Sequence, residues 1–175
     1  MAENPSALLG SWSSFYVMAG SSAAALTGLM FVVVTLVRER GAGNNPEGIS
    51  TYSTPTVLHF ATALLVCALL VAPWRSMTLP PVLVGVIGLY GVIYVVRVSY
   101  RASRLEAYRP DLEDWTWYTV LPFVGYAGML SGAILLASSP AKALFAIAGS
   151  CVLLIFIGIR NAWDIVTFLA VHGRN

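Results

Sequence analysis

The residues most able to do chemistry are ionisable side chains within or at the ends of long apolar stretches. Arg97 and Arg101 are four residues apart, and Arg104 continues the same helical face. Charged groups are costly in hydrocarbon, so they usually face water, an opposite charge or lipid headgroups. These arginines are expected either to reach the headgroups or, around the axis of an oligomer, to form a basic ring that attracts anions.

A second set of charges, Arg160 and Asp164, lies one helical turn apart in the last apolar stretch. A basic residue placed before an acidic one is the weaker order for an intrahelical pair, so Asp164 can instead reach Arg97 or Arg101 on the third stretch. A bridge that fixes the helix register is the plainer interpretation, because intramembrane charges are normally paired. A role in ion relay or gating is the alternative.

His59 is the histidine inside a predicted span, with Thr56 and Thr62 one turn to either side. A lone histidine in such a place usually packs with a hydrogen bond, but an imidazole that faces water can sense protons. Cys67 and Cys151 have no paired spacing and are expected to be small packing residues. Because no His, Cys, Asp and Glu have metal-ligand spacing, neither a metal nor another cofactor is expected.

The elements that must position these residues are five apolar stretches, each able to cross a hydrocarbon layer of about 30 Å. Composition agrees, because 58% of the 175 residues are hydrophobic and 10% are charged. The chain is predicted to be an all-α polytopic membrane protein with a single helical domain over residues 1–175. The predicted helices lie near 12–37, 56–72, 82–96, 117–137 and 141–169. If the fourth stretch is re-entrant, four spans remain.

Threading five spans alternately across a membrane sorts the basic residues to one side. The side of the C-terminus receives eight of the ten, namely Arg38, Arg40, Arg97, Arg101, Arg104, Arg109, Arg160 and Arg174. The opposite side receives Arg75 and Lys142. Because an excess of Lys and Arg marks the cytoplasmic side, the N-terminus is predicted outside and the C-terminus inside.

Small residues four positions apart mark two of the predicted helices. Gly20, Ala24 and Gly28 follow this spacing in the first helix, and Gly128 and Gly132 follow it in the fourth. In lipid, close backbone approach through small residues supplies the contact that holds helices together. These five residues are therefore predicted to be helix-packing positions, either within one subunit or between identical subunits that surround a pore.

The segment Gly20–Val33 is rich in Gly, Ala and Ser. It resembles the opening helix of small uncharacterised bacterial polytopic membrane proteins with a Gly/Ala-rich first helix. The resemblance covers roughly the first 40 residues. It implies a bacterial source, and hence the inner membrane, but it transfers no activity and no functional residues.

Signatures of catalysis are absent, since the sequence has no nucleophile elbow, no zinc-protease motif and no phosphate loop. An enzyme is not expected, and basic residues without a stacking platform do not favour nucleic-acid binding. The expected partners are the lipid bilayer, further copies of the chain and inorganic ions. The leading hypothesis is a homo-oligomeric ion channel, which prefers anions if Arg97 faces its axis. The alternative is a non-transporting scaffold or accessory subunit of a larger membrane complex.

Overall fold

A computed structural model describes residues 5–39, 46–74, 76, 78–102 and 112–172 of the chain. These residues are almost wholly helical, and no strand occurs among them. The elements are, in chain order, α1 Pro5–Glu39, α2 Pro46–Val71, α3 Leu79–Ala102, α4 Leu112–Trp115, a π-helical turn Thr116–Val120, α5 Leu121–Leu135 and α6 Pro140–His172. The prediction of an all-α chain is confirmed.

In the part of the chain that the structure describes, five helical segments are long and apolar enough to cross a membrane. They are Ala7–Thr35, Thr54–Val71, Leu79–Tyr100, Thr116–Leu135 and Pro140–Thr167, and every end lies within five residues of its predicted position. Only structures that satisfy their own backbone hydrogen bonds can span hydrocarbon, and a helix does so within one segment. The protein is therefore a multi-pass helical membrane protein, as the sequence predicts.

The start of the second helix differs from its prediction. α2 begins at Pro46, ten residues before the predicted start near residue 56, and it continues through Pro55. The apolar window of α2 begins at Thr54, close to the predicted start of the span, so the additional residues of the helix precede the span. A proline within an apolar pattern ordinarily ends a helix. In membrane helices an interior proline is tolerated, since neighbouring groups satisfy the carbonyl that it leaves free.

The fourth span is continuous rather than re-entrant. α4, the π-helical turn and α5 follow one another without a break from Leu112 to Leu135. The last helix, α6, is also unbroken over 33 residues. At 1.5 Å per residue its length is about 50 Å, so it extends beyond a hydrocarbon layer of about 30 Å.

The helices α2 and α6 form the middle of the bundle. α6 packs on α1, α2 and α5, while α3 packs mainly on α5. Within the apolar windows, 50% of the α6 residues are buried inside the chain, against 22% of the α1 residues. α2 and α6 run antiparallel, because Cys67 meets Cys151 and Phe60 meets Gly158. α1 and α3 lie at the periphery, where their outer faces are left to lipid or to another chain.

Candidate functional site

The ion-pair network of Arg160 joins α6 to the short helix α4. The Nη2 of Arg160 donates to Oε1 of Glu113 at 2.5 Å, and its Nη1 donates to Oδ1 of Asp164 within α6. The guanidinium also lies over the ring of Trp117, 5.7 Å from the ring centroid. Of the two pairings that the sequence left open for Asp164, the intrahelical one is present. Glu113 is a partner that the sequence did not indicate.

This network lies at the edge of the bundle. The side chains of Arg160 and Asp164 are 32% and 39% exposed, and that of Glu113 is 64% exposed. Solvent screens pairs as exposed as these, so each contributes at most about 1 kcal/mol to stability. Two carboxylates around one guanidinium leave a net negative charge, and Trp117 beside them has the amphipathic ring typical of a membrane boundary. The network holds α4 against the C-terminal half of α6 and forms a charged rim there.

Arg97 lies on the outer face of α3 rather than in the network. Its neighbours Val96 and Tyr100 are exposed, as is Arg97 itself. Neither of the two ion pairs in the described part of the chain includes Arg97. Arg101 is helical, but its side chain lies outside the described residues, as does Arg104 entirely. A role of Arg97 and Arg101 in an ion pathway stays a prediction.

His59 of α2 is buried, and its side chain reaches Tyr126 of α5. Its side chain is 2% exposed, and its Nδ1 lies 2.9 Å from the hydroxyl oxygen of Tyr126. Thr62 of α2 also lies close to the Tyr126 hydroxyl. The ring of Tyr126 fits because Gly91 of α3 has no side chain, and a Cβ there would overlap the ring. Sequence reasoning found His59 but missed Tyr126, for which the only signal was the glycine spacing of α3.

The two cysteines face each other across the contact between α2 and α6. Both are buried free thiols, and their side chains lie close to each other. Their separation of 84 residues in the sequence (151 − 67) explains why no spacing indicated the pair. Helix α1 also reaches this point, because a Cβ at Gly20 would lie 3.0 Å from Cβ of Cys67. Among the described residues, no group of three or more His, Cys, Asp or Glu could hold a metal ion.

The small residues of α5 lie in a tight helix contact. A Cβ at Gly128 would lie 2.6 Å from Oγ of Ser150, and a Cβ at Gly132 would lie 2.6 Å from Cγ1 of Ile147. Both neighbours belong to α6. The backbones of α5 and α6 therefore approach closely through the two glycines that the sequence singled out.

The small residues of α1 behave differently. Gly20 faces Cys67, but Ala24 and Gly28 are exposed, and a Cβ at Gly28 would meet nothing within 4 Å. Within one chain only Gly20 of the three is a packing position, and packing of Ala24 and Gly28 between subunits stays a prediction. Each step of four residues turns about 40° around a helix, so a face that is buried at Gly20 has rotated outward by Gly28.

Comparisons with models of known families, with curated proteins and with solved structures find no match to this chain. The likeness of the first helix to small bacterial membrane proteins therefore stays a prediction. The fold and the site define a class of protein. It is a multi-pass helical membrane protein with five candidate spans, a charged rim at one end and hydrogen-bonded polar side chains inside the bundle.

Proposed function

We propose that the protein is a homo-oligomeric ion channel of the bacterial inner membrane. The observation that carries this proposal is a strip of small residues on the outer face of α1, here called the α1 strip. It consists of Ser21, Ala24, Ala25 and Gly28, all of them exposed. Flexible lipid tails make few van der Waals contacts with such a surface. Another helix can approach it closely and make more of them. A second copy of the chain is the proposed occupant.

The packing inside one chain favours an ion path between copies. Large side chains that are fully buried fill the middle of the bundle: Tyr16, Tyr126, Phe60, Met129, Leu144, Ile147, Leu154 and Ile157. A chain of 175 residues encloses a pore most simply by repetition around a symmetry axis. The α1 strip would then lie between neighbouring subunits.

Arg97 supports a preference for anions in such a channel. It is exposed on α3, five residues before the helix ends at Ala102. One Arg97 from each copy, placed around an axis, would form a ring of positive charge at one mouth of the pore. The excess of arginine on the C-terminal side supports an orientation in which this mouth is cytoplasmic and the N-terminus is outside.

The substitution Gly28→Leu tests the subunit contact. It adds bulk to the α1 strip at a position where a Cβ meets nothing within 4 Å in its own chain, so it should weaken association by about tenfold or more, which is about 1.4 kcal/mol. Gly149→Leu is the matched control, because Gly149 is exposed on α6 and a Cβ there also meets nothing within 4 Å. Native mass spectrometry or mass photometry of both variants in nanodiscs measures the subunit number. A monomeric wild type, or two variants that behave alike, contradicts the contact.

Planar-bilayer recordings of the purified wild type test conduction. We expect currents that prefer anions, and we expect Arg97→Glu to reverse the sign of the reversal potential in a salt gradient. Arg97→Gln should give an intermediate value, because it removes the charge without inverting it. No conductance above that of the empty bilayer, under voltage or tension, would contradict a channel. Recovery of the native protein with other polypeptides in a fixed ratio would favour a scaffold or accessory subunit.

A further inference from the structure

Asn161 is a buried polar side chain whose amide is left unpaired. It lies on α6 and is 0% exposed. Within the described part of the chain, neither its Oδ1 nor its Nδ2 has a hydrogen-bond partner. Leaving a buried amide unpaired is costly, and buried polar side chains in folded proteins nearly always have a protein or water partner. A hydrogen-bond partner for the Asn161 amide is therefore expected at this point of the bundle.

The antiparallel contact of α2 and α6 shows which residues lie level with Asn161. A Cβ at Gly158 would lie 2.5 Å from Cε1 of Phe60, so these two residues meet directly. Asn161 is one turn beyond Gly158 on α6, and Thr56 is one turn before Phe60 on α2. In antiparallel helices these two steps lead in the same direction, which brings Asn161 and Thr56 to one level. Thr56 is also 0% exposed.

We propose that a water molecule is bound between α6 and α2, hydrogen-bonded to the amide of Asn161 and to the hydroxyl of Thr56. An amide offers two donors and one acceptor group, and a hydroxyl has capacity for a further bond besides any that it already makes. A buried water typically makes about three hydrogen bonds, which suits this pair. A second copy of the chain cannot supply the partner, because Asn161 is enclosed by its own chain.

Two further polar side chains lie close along the chain to the residues that would hold this water. Arg160 is the neighbouring residue on α6, and its side chain is 32% exposed within the charged rim. On the other side, His59 lies one turn from Thr56 and is paired with Tyr126. This inference does not depend on the channel proposal.

The melting temperature of an Asn161 variant shows whether the amide is bound to water or has no hydrogen-bond partner. If water bridges the helices, Asn161→Leu should lower the apparent melting temperature by several degrees, because the bridge is lost. If the amide is unpaired, the leucine should leave the melting temperature unchanged or raise it. Ser150→Ala is the control, since the Ser150 hydroxyl donates to the carbonyl of Ala146 in its own helix and needs no water. It should change the melting temperature little.

Leucine at position 161 could lower the melting temperature merely because it packs poorly. A double-mutant cycle and a high-resolution structure distinguish that effect from the loss of a bound water. With Thr56→Val, the loss caused by Asn161→Leu should shrink, because both variants remove the same bridge. Ser150→Ala and Thr56→Val should simply add. A high-resolution cryo-electron microscopy map of the wild type should show one water-sized peak within about 3.2 Å of the amide. Additive losses, an amide with no such peak, or density larger than a water molecule would overturn the proposal.

Discussion

The glycines of α5 and the small residues of α1 share a spacing but not an environment. Gly128 and Gly132 are pressed against α6, so that an added Cβ would require a neighbour to move. Ala24 and Gly28 face outward, with open space beside Gly28. The first pair is used to fold one chain. The second is free for contact between chains, and it is the surface on which the proposed oligomer depends.

This difference shows that small-residue spacing in a membrane helix predicts close packing but not the identity of the partner. The same reasoning applies to α3, where Gly91 accepts the ring of Tyr126. A glycine whose added Cβ would overlap another helix should be intolerant of substitution. A glycine whose added Cβ meets nothing should tolerate substitution, and stability measurements on the single chain distinguish the two kinds of glycine.

The largest expected effect is that of Gly91→Ala. The new Cβ would overlap the Tyr126 ring, and overpacking of this kind costs about 1–3 kcal/mol. For a chain of this size the apparent melting temperature should fall by about 2–4 °C per kcal/mol. Gly28→Ala is the matched change on α1 and should be neutral or slightly stabilising, because alanine is the better helix former. An equal fall in melting temperature in both variants would show that the two kinds of glycine do not differ.

A smaller effect is expected for Tyr126→Phe, which keeps the ring over Gly91 and removes only the hydroxyl. The loss should be about 1 kcal/mol, since hydrogen bonds between membrane helices are modest and Nδ1 of His59 loses its partner. Tyr90→Phe, at an exposed position of α3, is the control and should leave the melting temperature unchanged. A Tyr126→Phe variant as stable as the wild type would show that the inner contact depends on shape alone.

The smallest effect is expected at the charged rim, for Glu113→Gln. The Glu113 side chain is 64% exposed, so the loss should stay within about 0.5 kcal/mol. The melting temperature of the wild type should approach that of the variant in high salt, because salt screens exposed charges. Thermal denaturation of both proteins at low and high ionic strength measures this. A larger loss that persists in high salt would show that the rim, like the glycine contacts, is part of the structural core.

Several residues show where prediction from the sequence succeeds and where it fails. The ends of the spans follow from local hydropathy and are placed within five residues. The helical residues of α2 that precede its span, from Pro46 onward, are not part of the predicted range, because hydropathy identifies only the apolar part of a helix. Arg160 and Asp164 could be paired from their spacing, but Glu113 is 47 residues away from Arg160 and no local pattern indicates it.

The sequence by itself determined that the chain is a helical membrane protein with five candidate spans. The physical reason is that crossing hydrocarbon places its demand on each segment separately, through length, apolar side chains and internal backbone hydrogen bonds. Only the tertiary structure decided that His59 pairs with Tyr126, that Cys67 meets Cys151 and that Gly28 stays outside. Those outcomes depend on which helix faces which. In lipid any apolar helix face can be exposed without cost, so only close packing between helices decides which faces meet.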